Sequence, residues 1–231
     1  KMINISELRS YCHVPTCGDL TAHPRIIKAS NDLLEQYGFS SERIAQMDDE
    51  QFGYFRSRAG RNISRVITEL KRSIIRNMEV SLSDFPLELL ESYVFSHYII
   101  ATIDKELSLH VGIESDTLKT LFKENGWNSC AFITAENPDG EIVSDSQNDK
   151  NQTALMSELD ENNLPYLKGE GVGVNQDWPS ESSVCIFDLG FGEALAIASA
   201  FSQLAFVWVA SDGVPKIVIV GGSASQDIHL V

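Results

Sequence analysis

The chain has 231 residues, of which 43% are hydrophobic and 22% are charged. This composition is typical of a soluble globular protein of one or two domains, and it excludes a disordered or fibrous chain. No apolar run approaches the roughly 18 residues that a membrane-spanning helix needs, and the four cysteines form no disulfide framework. The sequence therefore predicts a cytoplasmic protein that does not enter a membrane.

The charge is divided unevenly along the chain, whose formal net charge is -15. Residues 1–91 carry 12 Lys and Arg against 13 Asp and Glu, whereas residues 92–231 carry 6 against 20. This asymmetry predicts two regions with different partners, a helical N-terminal region over residues 1–91 and an acidic domain over residues 92–231. The acidic domain should repel nucleic acids and anionic membranes.

The N-terminal region has the sequence pattern of an all-helical segment. Pro24 and Gly38 bound one predicted helix, because proline favours the first turn of a helix and glycine favours the position after its end. Apolar residues at helical spacing predict a second long helix over residues 48–77. A shorter helix is predicted to end at Leu90.

From about residue 92 the pattern changes to one in which strands alternate with helices. A strand over residues 93–103 and the strictly alternating residues 107–111 predict a β-hairpin. The other predicted elements are a helix over 115–125, a strand over 130–134, a helix over 148–160, strands over 164–167 and 184–187, a helix over 192–204, and strands over 205–209 and 216–220.

The order of these elements predicts a fold. The strand–helix–strand–strand–helix–strand series between residues 129 and 210 is that of the ferredoxin-like βαββαβ fold. Right-handed crossovers make the two strands of each βαβ unit parallel, and the link between the units makes them antiparallel to each other. We therefore predict an α+β domain with central strands 130–134 and 184–187, and with the hairpin and the last strand added at the edges of the sheet.

Polar residues cluster at the strand ends that this topology brings to one end of the sheet, where the first crossover helix also begins. Such strand ends commonly form binding sites, so we predict a ligand-binding rim. Its predicted residues are Thr134, Glu136, Asn137, Asn148, Gly169, Glu170, Trp178, Glu181, Ser182 and Gln203. The simpler interpretation, that these residues only cap helices and decorate loops, stays open.

Three carboxylates of the rim, Glu136, Glu170 and Glu181, leave an enzymatic interpretation open. They could ligate a hard divalent cation or perform acid–base chemistry, as in a metal-assisted enzyme. No G-x-S-x-G, H-E-x-x-H or Walker motif accompanies them, so no cofactor is predicted.

Two histidine-containing patterns are weaker candidates. The segment from Cys12 to His23 holds two Cys and two His, but a structural zinc site usually pairs ligands from two separate clusters, and only one is present. An ordinary loop is the favoured interpretation. His97 and His110 are expected to face each other across the hairpin, where such pairs are usually solvated.

The segment over residues 56–76 is strongly basic, with seven Lys or Arg against the single acid Glu69. Such a stripe could bind the phosphates of a nucleic acid, which gives a third functional interpretation. We favour its docking on the acidic domain of the same chain or of a homodimer partner, because opposite charges attract. Its basic residues are Arg56, Arg58, Arg61, Arg65, Lys71, Arg72 and Arg76.

The acidic domain, over about residues 93–220, resembles the bacterial domain-of-unknown-function family 3293. The resemblance rests on Tyr93, Tyr98, residues 132–135, Asn137, Pro138, Asn148, Asn151, Leu155, Leu159, Gly169, Gly171, Trp178, Glu181, Ser182, Phe201 and Gln203. It implies that residues 1–91 are an extension to the usual family member. It implies no reaction, because the family has no assigned activity, but it supports the rim residues.

These observations together predict a bacterial, cytoplasmic, non-enzymatic binding or regulatory protein. Its ferredoxin-like domain is expected to recognise a small polar ligand or a protein partner at the rim, with the N-terminal region as an adaptor. The alternatives are a metal-assisted enzyme that uses the rim carboxylates and a nucleic-acid-binding protein that uses residues 56–76.

Overall fold

The computed structural model describes residues 86–103, 106–173 and 178–220. Within these ranges the chain forms an α+β domain with four α-helices and seven strands. The helices are α1 (Leu87–Phe95), α2 (Asp116–Asn125), α3 (Asp145–Glu161) and α4 (Phe191–Ala200). The strands are β1 (His97–Ala101), β2 (Glu106–Leu109), β3 (Cys130–Thr134), β4 (Tyr166–Val172), β5 (Glu181–Phe187), β6 (Ala205–Val209) and β7 (Pro215–Ile219). None of these helices combines the length and the apolar character needed to cross a membrane.

Several predictions concern residues outside these ranges and stay predictions. They are the helices before residue 86, the Cys and His cluster between Cys12 and His23, and the basic segment over residues 56–76. The predicted domain boundary after residue 91 falls inside α1 and also stays a prediction.

All seven strands belong to one sheet with the order β2-β1-β4-β5-β3-β6-β7, and every neighbouring pair is antiparallel. The predicted hairpin, β1 with β2, lies at one edge, and the predicted last strand, β7, lies at the other. The strands predicted to be central, β3 and β5, are neighbours in the middle of the sheet. Their side chains are almost entirely buried, which explains why both segments are continuous apolar runs.

Helices cover both faces of the sheet. On one face, the β3 and β5 side chains at alternate positions pack with apolar side chains of α3 and α4, including Leu155 and Ile197, in one buried cluster. On the other face, Phe187 of β5 contacts Phe122 of α2 and stacks on Trp127, with ring centroids 6.4 Å and 4.4 Å away. Burial on both faces fixes the register of the sheet and so the positions of the strand ends.

Side-chain caps set where two helices begin. The Ser115 side chain accepts a hydrogen bond from the backbone N–H of Leu118, and α2 begins at Asp116, one residue after the predicted start. The Ser144 hydroxyl oxygen accepts from the backbone N–H of Gln147, so α3 begins at Asp145. The prediction placed this start at Asn148, whose side chain has a different role.

The predicted start of the first strand was wrong. Residues 93–95 belong to α1, because Leu90 and Val94 lie one helical turn apart and are both buried. The Ser96 hydroxyl donates to the Ser92 carbonyl oxygen at 2.6 Å, and Ser96 itself has extended backbone angles that end the helix. The aromatic and β-branched character of this segment suggested a strand, but packing of its helical face decides the structure.

Three other predicted boundaries differ by three residues or more. The strand β4 continues to Val172, so residues 169–171 lie inside a strand and not in a loop after it. The strand β5 begins at Glu181, three residues earlier than predicted. The helix α4 ends at Ala200, because Ser202 has a left-handed backbone conformation (φ 51°) that a continuing helix does not allow.

Candidate functional site

Asn137 lies at the centre of a polar cluster at the end of β3. Its backbone is left-handed (φ 47°), a conformation that asparagine adopts more readily than most residues. Its backbone N–H donates to Asn148 Oδ1 at 2.9 Å, and its Oδ1 accepts from Asn148 Nδ2 at 3.1 Å and from the Val143 N–H at 3.2 Å. Its Nδ2 donates to Glu181 Oε1 at 2.7 Å. One side chain, 4% exposed, therefore joins β3 to α3 and β5.

Trp178 contacts the same carboxylate from the segment before β5. Its indole Nε1–H donates to Glu181 Oε1 at 3.1 Å, so one carboxylate oxygen accepts from both an amide and an indole. The Trp178 side chain is 37% exposed, which makes it one of the few large apolar side chains on the described surface. The carboxylate of Glu181 is thus held in place beside an accessible aromatic ring.

Glu136, the neighbour of Asn137, is held by two hydroxyl residues. The Thr134 hydroxyl accepts from the Glu136 backbone N–H at 3.0 Å and donates to the Ser182 carbonyl oxygen at 2.8 Å. Ser182 in turn donates its hydroxyl and backbone N–H to the Glu136 carboxylate. These bonds place the Glu136 carboxylate at the start of β5, next to the hydrogen-bonded group of Glu181, Asn137 and Trp178.

Gln203 connects the start of β6 to this cluster. Its Nε2 donates to the Glu136 carbonyl oxygen at 3.1 Å and to the Phe201 carbonyl oxygen at 3.2 Å, and its side chain is only 8% exposed. The adjacent Ser202 carbonyl oxygen accepts from the Asp139 N–H at 2.7 Å. The end of β3, the starts of β5 and β6 and the first turns of α3 therefore meet in one place.

Eight of the ten predicted site residues form this connected set, which we call the rim network. Two hydrogen-bonded groups make it up, and they are joined by the covalent links Glu136-Asn137 and Glu181-Ser182. The members are Thr134, Glu136, Asn137, Asn148, Trp178, Glu181, Ser182 and Gln203.

The two carboxylates of the rim network are electrostatically unusual. Burial raises the pKa of the Glu181 carboxyl; hydrogen bonds from Asn137 and Trp178 oppose this shift, and the charge of Glu136 adds to it. Burial also raises the pKa of Glu136; the hydrogen bonds from Ser182 oppose this, and the charges of two α3 aspartates add to it. In the part of the chain that the structure describes, no Lys or Arg forms an ion pair with either carboxylate. Among the described residues, the donors that hold both charges are neutral.

Gly169 and Glu170 do not join the rim network. A Cβ atom at Gly169 would lie 2.5 Å from the Ile99 carbonyl oxygen and 2.7 Å from Phe132 Cε2, so packing within the sheet requires glycine there. The Glu170 side chain is exposed and points to the opposite face of β4 from Gly169 and Gly171. It forms no hydrogen bond or ion pair with any residue in the described ranges.

The sequence interpretation missed three residues around the network. Gln152 is buried, and its Oε1 accepts from the Ala135 N–H at 3.0 Å. Its spacing of four residues from Asn148 on a predicted helix was a usable signal. Tyr93 and Tyr98 lie near Glu181: burial, then the charge of Glu181, raises the pKa of Tyr93 to about 12. No local pattern could reveal this proximity, because it depends on how separate elements pack.

The structure also bears on the histidine pair and on the three-carboxylate metal site. His97 and His110 face each other as predicted, with ring centroids 6.3 Å apart in an edge-to-face arrangement. Across residues 86–103, 106–173 and 178–220, no group of three or more His, Cys, Asp or Glu side chains could hold a metal ion. The three-carboxylate metal site that the sequence left open is not formed there, since Glu170 lies on the other face of the sheet from Glu181.

The fold and the rim network define a class: an α+β domain with a buried polar network at one end of an antiparallel sheet. Residues 133–206 match the family model described as "Protein of unknown function (DUF3293)". The match confirms the family resemblance over these residues, which run from β3 into β6 and include all ten predicted site residues. No curated protein and no solved structure gives a significant match to the chain.

Proposed function

We propose that this domain is a non-enzymatic binding module that recognises a small polar ligand at the rim network. The observation that carries the proposal is a pair of carboxylates, the buried Glu136 and the partly buried Glu181, that are held only by neutral donors among the described residues. A buried charge without an opposite charge is destabilising, so proteins seldom keep one without a functional reason. Perturbed carboxylates of this kind are concentrated at functional sites.

The neighbourhood of Glu181 fits a binding role. Trp178 is partly exposed while its indole N–H is fixed on Glu181, which suits an aromatic surface that a ligand can contact. The amide groups of Asn137, Asn148 and Gln203 are buried and hydrogen-bonded, and they hold the surrounding backbone rigid. A rigid surround lowers the entropy that binding must overcome.

We also propose that β4-β5-β3-β6 with α3 and α4 form a ferredoxin-like core. The strand order and the antiparallel pairing of these four strands support this assignment. In this core the rim network lies where the first crossover helix begins, a region that commonly supplies backbone N–H groups to a site.

A thermal-denaturation screen of the 231-residue chain tests the proposed function. Small amines, amides, polyols and carboxylates are added singly to the wild type, to Glu181→Gln and to the control Glu170→Gln. A ligand that binds only the folded state raises the melting temperature. We expect at least one compound to stabilise the wild type and Glu170→Gln but not Glu181→Gln. The proposal would be contradicted if every stabilising compound stabilised all three proteins equally, or if no compound stabilised any of them.

A further inference from the structure

We propose that the ligand of the rim network is a small organic cation, whose ammonium or guanidinium group binds Glu181 above Gly171 and beside Tyr98. This inference rests on the proposed function and adds the chemical class of the ligand and the place where its charged group binds. Three observations carry it: the register of three strands, the packing around Gly171, and the charge around Glu181.

The register places Tyr98, Gly171 and Glu181 in one row across the sheet. Tyr98 of β1 pairs with Gly171 of β4, and Gly171 pairs with Glu181 of β5. Directly paired residues of an antiparallel sheet project their side chains from the same face. Tyr98 and Glu181 therefore lie on strands about 10 Å apart, with a residue that has no side chain between them.

Among the described residues, neither packing nor backbone conformation requires glycine at position 171. The described atom nearest to a Cβ atom there would be Ser183 Oγ at 3.7 Å, followed by the Glu181 carbonyl oxygen at 3.9 Å and Phe132 Cε1 at 4.0 Å. Gly171 also has no positive φ. A glycine inside a strand weakens the strand, and it often marks the close approach of another group. Among the described residues, Gly171 thus leaves space for about one methyl-sized group, such as an ammonium, in the row between Tyr98 and Glu181.

The walls of this space favour a positive charge. Glu181 supplies a carboxylate on one side, and the charge of Glu136 acts on the same carboxylate. The Tyr98 ring supplies an aromatic wall on the other side and is fixed edge-on to Phe132, with centroids 5.4 Å apart. Carboxylates and aromatic rings both attract organic cations, whereas an anion would be repelled by both acids. Trp178, hydrogen-bonded to Glu181, adds a second aromatic ring.

The orientation of Tyr98 is set by its own hydrogen bond. The Tyr98 hydroxyl donates to the Tyr93 carbonyl oxygen at 2.6 Å, so the ring is tied to α1. Because the hydroxyl already donates there, we expect Tyr98 to offer its ring and not a hydrogen-bond donor to a ligand. Recognition of charge is therefore assigned to Glu181.

The test uses three compounds of nearly equal size and different charge: butylammonium, butyramide and butyrate. They are titrated at neutral pH, where the amine is protonated and the acid is ionised, at constant ionic strength. The chain has three Trp residues, so the indole N–H region of the NMR spectrum should contain three signals. Trp178→Phe identifies the signal of Trp178. We expect butylammonium to shift this signal saturably, and to bind at least about tenfold more tightly than the other two compounds.

Variants locate the binding. Gly171→Val fills the space with a side chain, and we expect it to abolish the butylammonium shift while the remaining spectrum stays that of a folded protein. If Gly171→Val does not fold, Glu181→Gln serves as the second test and should weaken butylammonium binding about tenfold. Glu170→Gln removes the same charge from the opposite face of the adjacent strand, and should bind like the wild type.

Each contrary result has a defined meaning. If butyramide or butyrate binds as tightly as butylammonium, the inference of a cationic ligand is overturned and the proposed function stands. If butylammonium binds folded Gly171→Val as well as the wild type, the assigned position is overturned. If none of the three compounds shifts Trp178, the inference is overturned, and the thermal screen decides the proposed function independently.

Discussion

Asn137 and Asn148 bind each other through two hydrogen bonds, from the Asn137 backbone N–H to Asn148 Oδ1 and from Asn148 Nδ2 to Asn137 Oδ1. Both side chains are buried. The pair holds the left-handed turn after β3 against the first turns of α3. It also orients the Asn137 amide so that its Nδ2 donates to Glu181, which places a structural contact and a candidate ligand contact on one side chain.

We predict that Asn148→Ala lowers the free energy of unfolding by about 2 kcal/mol, because it leaves a buried donor and a buried acceptor of Asn137 with fewer partners. Chemical denaturation measures this change. Asn151→Ala is the matched control, since Asn151 lies on the same helix and, among the described residues, its side chain accepts only from the exposed Gln147. We expect the control to change the free energy by less than about 0.5 kcal/mol. Equal losses in the two variants would show that the Asn137–Asn148 pair contributes no more to stability than the exposed control contact.

The two glycines of β4 should respond differently to the same substitution. Gly169→Ala places a methyl group against the Ile99 carbonyl oxygen and Phe132, and we predict a loss of about 1–3 kcal/mol in the free energy of unfolding. Gly171→Ala meets only ordinary contacts among the described residues, so its free energy of unfolding should be unchanged or higher by up to about 1 kcal/mol. Thermal and chemical denaturation of both variants check this contrast, which a larger loss in Gly171→Ala would refute.

The raised pKa values of Glu136 and Glu181 predict the direction of a pH effect on stability. A carboxyl whose pKa is higher in the folded state binds its proton more tightly there than in the unfolded chain. This contribution to stability is therefore fully present below the unfolded pKa of about 4.3 and is lost as pH rises through the folded pKa. In Glu181→Gln, the free energy of unfolding should fall less as pH rises, as measured by denaturation across the acidic range. A variant whose stability falls as steeply as that of the wild type would contradict the assignment to Glu181.

The indole N–H of Trp178 should report the ionisation of Glu181, because it donates to the Glu181 carboxylate. We predict that the Trp178 indole signal moves during an NMR pH titration with a midpoint above the pKa of an unperturbed glutamate. The same titration of Glu181→Gln should leave this signal nearly constant. The signal of Trp208, which is buried in the core and not bonded to Glu181, is the internal control. A Trp178 signal that titrates equally in the variant would exclude Glu181 as its source.

Local sequence signals were sufficient for the bounds of two neighbouring strands. The bounds of β3 and β6 agree with the prediction, because each is a short apolar run between polar residues and glycine- or serine-containing turns. The segment over residues 93–95 failed for the opposite reason: Tyr93, Val94 and Phe95 have strand propensity, and only the packing of α1 makes them helical.

The candidate site was predictable in its residue types but not in its geometry. Strand order alone brought Glu136, Glu181 and Gln203 to one end of the sheet, and the structure joins them. Gly169 and Gly171 look alike in the sequence. Among the described residues, however, the close approach of Phe132 requires glycine at position 169 and not at position 171. The row from Tyr98 to Glu181 depends on the register of three strands that are distant in sequence, and register is a tertiary property.

The central claim is that the rim network is a ligand site and not only a structural junction. The most direct measurement follows the side-chain NH₂ signals of Asn137, Asn148 and Gln203, together with the Trp178 indole signal, during titration with the most stabilising compound of the thermal screen. We predict that these signals shift together with one dissociation constant, while the exposed amide signals of Gln147 and Asn151 stay fixed. If the compound stabilises the protein while the four network signals do not move, the claim is contradicted.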